Sequence, residues 1–486
     1  MKKNITILIL LLIGFQLFAQ ENDTITYKKR VLESTEVDFL LSYYTQDGAH
    51  SSVSGGIGSE DLQDIASNIT LSMPLNEDDV LTIDTGISAY TSASSSNINP
   101  FNASGASKNG GGDDDDDDRI LLRDGQATNS NPIGTPWQAS SGASAQDVLA
   151  SVVINYAHSS DNRNFLWNAD VAFSNEYDYT SIGFGGGVSK LFNDKNSEIS
   201  VKGNVYLDQW RPIYPTELSE YGKYGSDFRN KGFFAGVNVY EENQNGAFQY
   251  LPTKFKTWDS TARNSYSLTL SFSQVMTKKL QGSVFMDVLM QEGKLSTPYH
   301  RIYFADKNNF YIGNTSYIAN YESTSNVGVY RLADDIERLP DNRFKVPFGG
   351  RLNYYINERF VLKTYYRYYW DDWGITSHTA SVELPIKITE SFTVYPMYRY
   401  YTQQASKYFA PFEKHLSTET YYTSDYDLAS FNANQIGFGI SYTDIFTKTK
   451  IWKLGLKNID FRFNHYNRTD GLVANIGTLG FKFVMQ

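Results

Sequence analysis

The sequence has no cysteine. That excludes disulfides, thiolate metal ligands and a lipid-carrying N-terminal cysteine. Any metal chemistry falls to Asp, Glu and six His. Proline is scarce, with 13 residues against 36 glycines. Positive charge is short as well: the net charge is −11, which argues against a nucleic-acid partner. After the N-terminus no apolar run approaches the roughly 20 residues of a spanning helix. Helical periodicity is hard to find.

What is present is aromatic residues and alternation. Tyr and Phe number 36 and 30. "FLWNADVAFSNE" sets Phe165, Trp167, Ala169, Val171 and Phe173 opposite Asn168, Asp170, Ser174 and Glu176. "SNITLSMPL" sets Ile69, Leu71, Met73 and Leu75 opposite Asn68, Thr70 and Ser72. "SYSLTLSFSQ" and the closing "IGTLGFKFVMQ" repeat the period of two. Alternation alone also fits a soluble sandwich. Three features favour an all-β transmembrane antiparallel barrel. The segments run to about ten residues, where soluble strands centre on five or six. Aromatic residues gather near segment ends, as in "YYRYYWDDW" at 365–373 and "YPMYRYY" at 395–401. Tight polar turns, at 76–79, 159–164, 193–196, 277–279, 357–358 and 389–391, alternate with long loops at 46–66, 92–146, 210–263, 292–342 and 404–431. In hydrocarbon every backbone N–H and C=O must be paired within the chain, and a closed sheet does this.

The pattern predicts sixteen strands, with fourteen as the alternative: 36–46, 67–75, 80–91, 147–158, 164–176, 180–192, 197–209, 265–276, 280–291, 344–356, 359–370, 374–388, 391–403, 433–444, 457–467 and 474–485. An even count puts both ends on the short-turn, periplasmic side. The opening "MKKNITILILLLIGFQLFAQ" has Lys2 and Lys3 before a short apolar stretch, then Ala19. It reads as a Sec signal peptide over 1–19, although Leu17 is large for its place before the cleavage site. A periplasmic segment over 20–35 and a barrel domain over 36–486 follow. The expected location is the outer membrane of a Gram-negative bacterium.

"VLESTEVDFLLSYYTQDG" (31–48), "SVSGGIGSEDLQDIASNITLSMPLNEDDVL" (52–81), "SAYTSASSSNINPF" (88–101), "WQASSGASAQDV" (137–148), "AHSSDNRN" (157–164) and "EYDYTSIGFGGGVSKLFN" (176–193) resemble the Bacteroidota family known as domain of unknown function 3570. The resemblance runs over nearly the whole mature chain. It implies an exported, β-rich outer-membrane or surface protein, and it carries over no catalytic residue. It also implies a neighbourhood of flavin-transferring and thioredoxin-like export proteins, hence periplasmic or surface redox or metal-handling partners.

Five places bear on function. The run Asp113, Asp114, Asp115, Asp116, Asp117 and Asp118 falls in the long loop at 92–146. It reads either as a weak Ca2+ site or as a solvated loop. It lacks the spaced ligands of a preformed calcium loop. Glu60, Asp61, Asp64, Asp124 and Asp147 lie in nearby segments. The glycines of "GIGSED" (56–61) and "GFGGG" (183–187) open no helix and precede no G-K-[ST], so they read as close backbone approaches. His158, Ser159, Ser160 and Asp161 are neighbours in a tight turn and cannot form a hydrolase triad. His50, His300, His378, His415 and His465 show no metal-ligand spacing.

If the apolar face meets lipid, Asp38, Asp84, Asp170, Glu176, Asp208 and Asp287 face inward from the first nine strands. Arg351, Lys363, Arg367, Arg399, Arg462 and Lys482 face inward from the rest. Lys202, Glu383 and Asp460 break the separation. In a water-filled lumen these walls set up a transverse field; in a filled one they form interior salt bridges. Glu33, Glu36 and Asp38 read as a polar strand entry or as a periplasmic docking patch. The expected role is porin-like passage, or surface binding, of small polar solutes or ions. The alternative is a closed scaffold barrel assembling with redox or metal-handling proteins. No Ser/His or paired acidic constellation supports an enzyme.

Overall fold

A computed structural model describes residues 30–91, 146–242, 250–258, 261–321 and 329–485. The aspartate run at 113–118 and the N-terminal segment to residue 29 lie outside the described residues. Sixteen long strands carry the fold: β1 (Glu36–Asp47), β2 (Leu62–Pro74), β3 (Asp79–Thr91), β4 (Gln146–Ser159), β5 (Phe165–Asn175), β6 (Tyr179–Phe192), β7 (Ser197–Trp210), β8 (Ala262–Thr277), β9 (Leu280–Gly293), β10 (Asn342–Asn357), β11 (Phe360–Asp371), β12 (Thr376–Glu383, continued by Ile386–Lys387), β13 (Phe392–Gln403), β14 (Phe431–Thr443), β15 (Leu454–Arg468) and β16 (Val473–Met485). Each pairs antiparallel with the next, and β1 pairs with β16 from Glu36↔Val484 to Asp47↔Val473. The sheet is therefore closed and has no free edge to aggregate.

Alternation decides what each face meets. Leu71, Ile83, Ile154, Val171, Phe184 and Val205 are successive partners across β2 to β7. One residue along, Ser72, Thr82, Asn155, Asp170, Gly185 and Asn204 are partners in the same way. The apolar row points outward, with Ile154, Val171 and Phe184 about half exposed. The polar row points inward. Apolar side chains left on the outside of a closed sheet are stable where hydrocarbon replaces water, at roughly 1.5–3 kcal/mol for each large side chain buried. Tyr354 stands outward at the short-turn end, and Tyr366, Trp370, Tyr398 and Tyr400 toward the other. These are the positions of interfacial aromatic girdles.

The short-turn end is held by local chemistry. Asn76 Oδ1 accepts from the backbone N of Asp78 and Asp79 at 2.8 and 2.9 Å, closing the β2–β3 turn. Asn193, Asp194 and Lys195 take positive φ in the β6–β7 turn. One connection on this side is longer than the others, as the spacing of the expected strands allows. Between β14 and β15 a short arm at 444–453 exposes Phe446, Ile451 and Trp452. A Trp presented there suits the headgroup level of a bilayer.

The opposite end differs more from the sequence reading. The described residues of 211–242, 250–258, 294–321, 329–341 and 404–430 build a cap with its own apolar cores. A helix (Thr216–Tyr224) packs there with short paired strands, among them Val239–Glu241, Phe310–Gly313 and Val329–Arg331. Phe228, Phe234, Tyr250 and Phe310 form one core, and Leu218, Phe255, Tyr303 and Ile336 another.

Candidate functional site

The inner face has two unlike sides. On β9 to β16 it is packed. Arg351 lies over the Phe285 and Tyr365 rings, Arg462 over Tyr395 and Arg468 over Phe431. Guanidinium planes stacked on rings keep their charge while covering apolar surface. Four of the nine aromatic residues in "YYRYYW" and "YPMYRYY" therefore point inward. Tyr365, Tyr395 and Tyr401 are buried among these arginines, while Tyr366, Tyr398 and Tyr400 look out. The girdle reading covered only the second set.

On β3 to β8 many of the inner side chains are small and polar, with Leu149, Val153, Lys202 and Tyr206 among the exceptions. Ser151, Asn155, Asn168, Asp170, Ser200 and Ser267 are all partly open to solvent. Gly183 and Gly185 face inward here. A Cβ on Gly183 would meet the Tyr206 ring at 2.4 Å, and one on Gly185 would meet Asp170 Oδ2 at 2.4 Å. The "GFGGG" glycines thus make room for a ring and a carboxylate.

The structure places Asp38, Asp84, Asp170, Asp208, Asp287, Arg351, Lys363, Arg367, Arg399, Arg462 and Lys482 at inward registers. Glu176 lies just beyond β5 and is buried. Several of these charges meet. Lys482 Nζ is 2.9 Å from Glu36 and 3.6 Å from Asp38, across the β1–β16 seam. Glu383 receives Lys363 at 3.4 Å and Arg462 at 3.1 Å, and Arg462 also reaches Asp460 at 3.1 Å. Asp84 accepts from Asn68 and Thr70, each at 2.8 Å. Glu36 and Asp38 therefore turn into the barrel instead of offering a periplasmic patch, and only Glu33 of that trio is exposed.

At the capped end, inward apolar side chains close over the lumen wall. Tyr44, Leu62, Leu149, Tyr401, Phe431, Ala433, Tyr466 and Ala474 make one buried cluster with Leu472. The cap is tied to it. Arg468 reaches Asp427, Asp470 and the Tyr426 carbonyl. Tyr426 stacks on His50 with centroids 3.8 Å apart. Arg301 pairs with Glu217 and donates to the Val53 carbonyl.

Within the cap, residues remote in sequence converge. His300 Nδ1 is 3.4 Å from Glu337 Oε2, and Asp425 completes a buried trio whose ligand atoms all lie within 4.8 Å of one another. Glu337 accepts from Thr297 N at 2.7 Å and from Thr423 Oγ1 at 2.5 Å. Burial works against the charged imidazole, but Glu337 outweighs it and holds His300 above its ordinary value. Burial and the neighbouring Asp427 push the Asp425 carboxyl up. Reading the histidines by spacing missed this site, because its members come from two loops. The other histidines have plainer partners: His158, which falls at the end of β4 and not in the turn expected for it, pairs with Asp79 of β3 at 2.6 Å, and His378 meets the Tyr366 hydroxyl.

Asp334, also in the cap, accepts from Phe304 N at 2.9 Å, and burial pushes its carboxyl up to about 6 from 3.8. The folded cap therefore holds a proton there that the unfolded chain gives up, and cap stability rises as pH falls from about 6 to about 4. Asp334→Asn is expected to stabilise the cap at pH 7 by about 1–3 kcal/mol and to flatten that slope. Protease resistance of the external loops at pH 5 and pH 7 checks both.

A closed sixteen-stranded sheet, apolar outside and polar within, defines a membrane-spanning β-barrel. No helix among the described residues is long and apolar enough to cross a membrane. Residues 5–481 match the family described as "Protein of unknown function (DUF3570)", and the chain belongs to that family. No curated protein matches it. Among solved structures it is similar to a bacterial polysaccharide outer membrane secretin, at 8% identity and TM-score 0.39, over 93% of this chain and 98% of that one. It is also similar to OccK2 (OpdF) of Pseudomonas aeruginosa in complex with glucuronate, at 7% identity and TM-score 0.36, over 96% and 100%. A BenF-like porin from Pseudomonas fluorescens Pf-5 matches at 8% identity and TM-score 0.34, over 94% and 100%.

Proposed function

We propose that the protein is an outer-membrane barrel, of Bacteroidota type, that passes small polar solutes or ions along its β3–β8 wall, with the folded cap governing entry from outside. One observation carries this reading. Near its middle that wall carries small polar side chains partly open to solvent, with Asp84 and Asp170 among them, while the opposite wall carries arginines stacked on aromatic rings. A lumen built only for stability gains nothing from leaving one polar side loose. Carboxylates on the open side favour cations. In a planar bilayer the purified barrel gives discrete current steps with cation preference. Asp84→Asn, which keeps the hydrogen-bonding shape, lowers that preference. A correctly folded barrel that stays silent at every voltage overturns the reading.

The packed wall favours a second reading, a closed scaffold that assembles with exported redox or metal-handling proteins. Silence in the bilayer together with a stable partner from gently solubilised membranes would select it.

A further inference from the structure

We propose that His300, Glu337 and Asp425 form a binding site for one divalent transition-metal ion inside the external cap. The geometry is a buried trio from separate segments, with ligand atoms within 4.8 Å of one another. A metal held at about 2.0–2.2 Å by imidazole and carboxylate sets such atoms roughly 3.3 Å apart, so modest side-chain movement completes the site.

Three observations point to an ion. The first is charge. Two carboxylates converge in the interior against a single imidazole. The nearest further acid, Asp427, already has Arg468. With both carboxylates ionised, the trio keeps an excess negative charge out of water even when the imidazole is charged, and a proton on Asp425 or a bound cation offsets it.

The second is the histidine itself. His300 is 4% exposed. Its contact with Glu337 is long, at 3.4 Å, and its Nε2 is buried without a hydrogen-bond partner. His415 in the same cap shows what a purely structural histidine looks like. Its Nδ1 lies 2.7 Å from Glu419 and its Nε2 lies 2.8 Å from the Thr423 carbonyl. The two rings are similarly buried, and only one is left under-used.

The third is support around the carboxylates. Thr297 N and Thr423 Oγ1 fix Glu337, and Asp425 Oδ1 accepts from Asp427 N. Metal-ligating carboxylates are commonly oriented in this way by outer hydrogen bonds.

One imidazole with two carboxylates suits Zn2+ or Mn2+. Ca2+ takes six to eight oxygens, which this trio does not offer. The site therefore differs in kind from the calcium reading of the aspartate run. It also stands whether or not the lumen conducts.

The test uses the full-length barrel in detergent, stripped with a chelator and titrated with Zn2+, with Mn2+ and Ca2+ in parallel. One equivalent of Zn2+ or Mn2+ binds and raises the temperature at which the loops become protease-sensitive. His300→Gln and Asp425→Asn each weaken binding by more than the roughly 10- to 100-fold that loss of an outer-shell partner costs. Deletion of residues 113–118 leaves the equivalent intact. Since either variant could disturb the cap, the unaltered barrel is also loaded with Co2+, whose visible bands report a nitrogen-containing ligand set. Failure of the stripped barrel to take up one equivalent overturns the proposal. So does a folded His300→Gln barrel that binds as tightly as the parent, or loss of the equivalent with residues 113–118.

Discussion

Arg468→Ala is expected to loosen the external cap from the barrel by about 3–5 kcal/mol, the cost of leaving buried charges without their partner. The residue ends β15 and is almost fully buried. Its guanidinium is 2.5 Å from Asp427 and 2.5 Å from Asp470, and it donates to the Tyr426 carbonyl at 2.8 Å. It also lies 3.8 Å above the Phe431 ring. Through Tyr426 the tie extends to His50 and the 48–61 loop. Alanine removes every one of these contacts and strands two acids. Lysine keeps the charge but not the fork, so Arg468→Lys should fall between. Limited proteolysis of vesicles measures the effect: the 404–430 loop is cut faster in the order Ala, Lys, parent. If the lumen conducts as proposed, a looser cap gives more frequent opening in the bilayer. Equal cleavage in all three proteins would show that the cap is held elsewhere.

The barrel was legible in the sequence because lipid imposes a rule on every strand. All sixteen segments expected from alternation are found. The departures have local causes. β2 starts at Leu62, five residues before the expected 67, because Leu62, Asp64 and Ala66 face inward beneath the cap. There the outer face is no longer required to be apolar, so the sequence signal fades. β12 breaks near Pro385, which has no N–H to give the ladder. The aromatic runs misled in part, because a ring at a strand end can serve the bilayer interface or an arginine inside. Only register decides which. The cap was not legible at all. One core joins Phe228 and Tyr250 of one loop to Phe310 of another, with no periodicity to betray them. The His300, Glu337 and Asp425 trio was hidden for the same reason: no fixed spacing relates residues that meet only through tertiary packing.

The strongest test of the barrel itself compares two neighbours in β4. Ile154→Arg is expected to cost about 2–4 kcal/mol and to cut assembly, because Ile154 stands outward near the strand's middle, between Ile83 and Val171. A guanidinium there must sit in hydrocarbon or pull water to itself. Asn155→Arg places the same group one residue on, and the pleat turns it inward. Its partners are Thr82 and Asp170, and Lys202 lies within reach of the same carboxylate. The new arginine finds an acid and solvent, so the barrel folds, and under the proposed function the added positive charge lowers cation passage. Heat-modifiable mobility on gels, with the yield of barrel in washed outer membranes, reads assembly. Equal loss from both substitutions, or a greater loss from Asn155→Arg, would mean that the two faces are not divided between lipid and lumen. The contrast is sharp because nothing but register separates the two positions. The incoming group, its charge and its sequence neighbourhood are the same, and the medium that it enters differs.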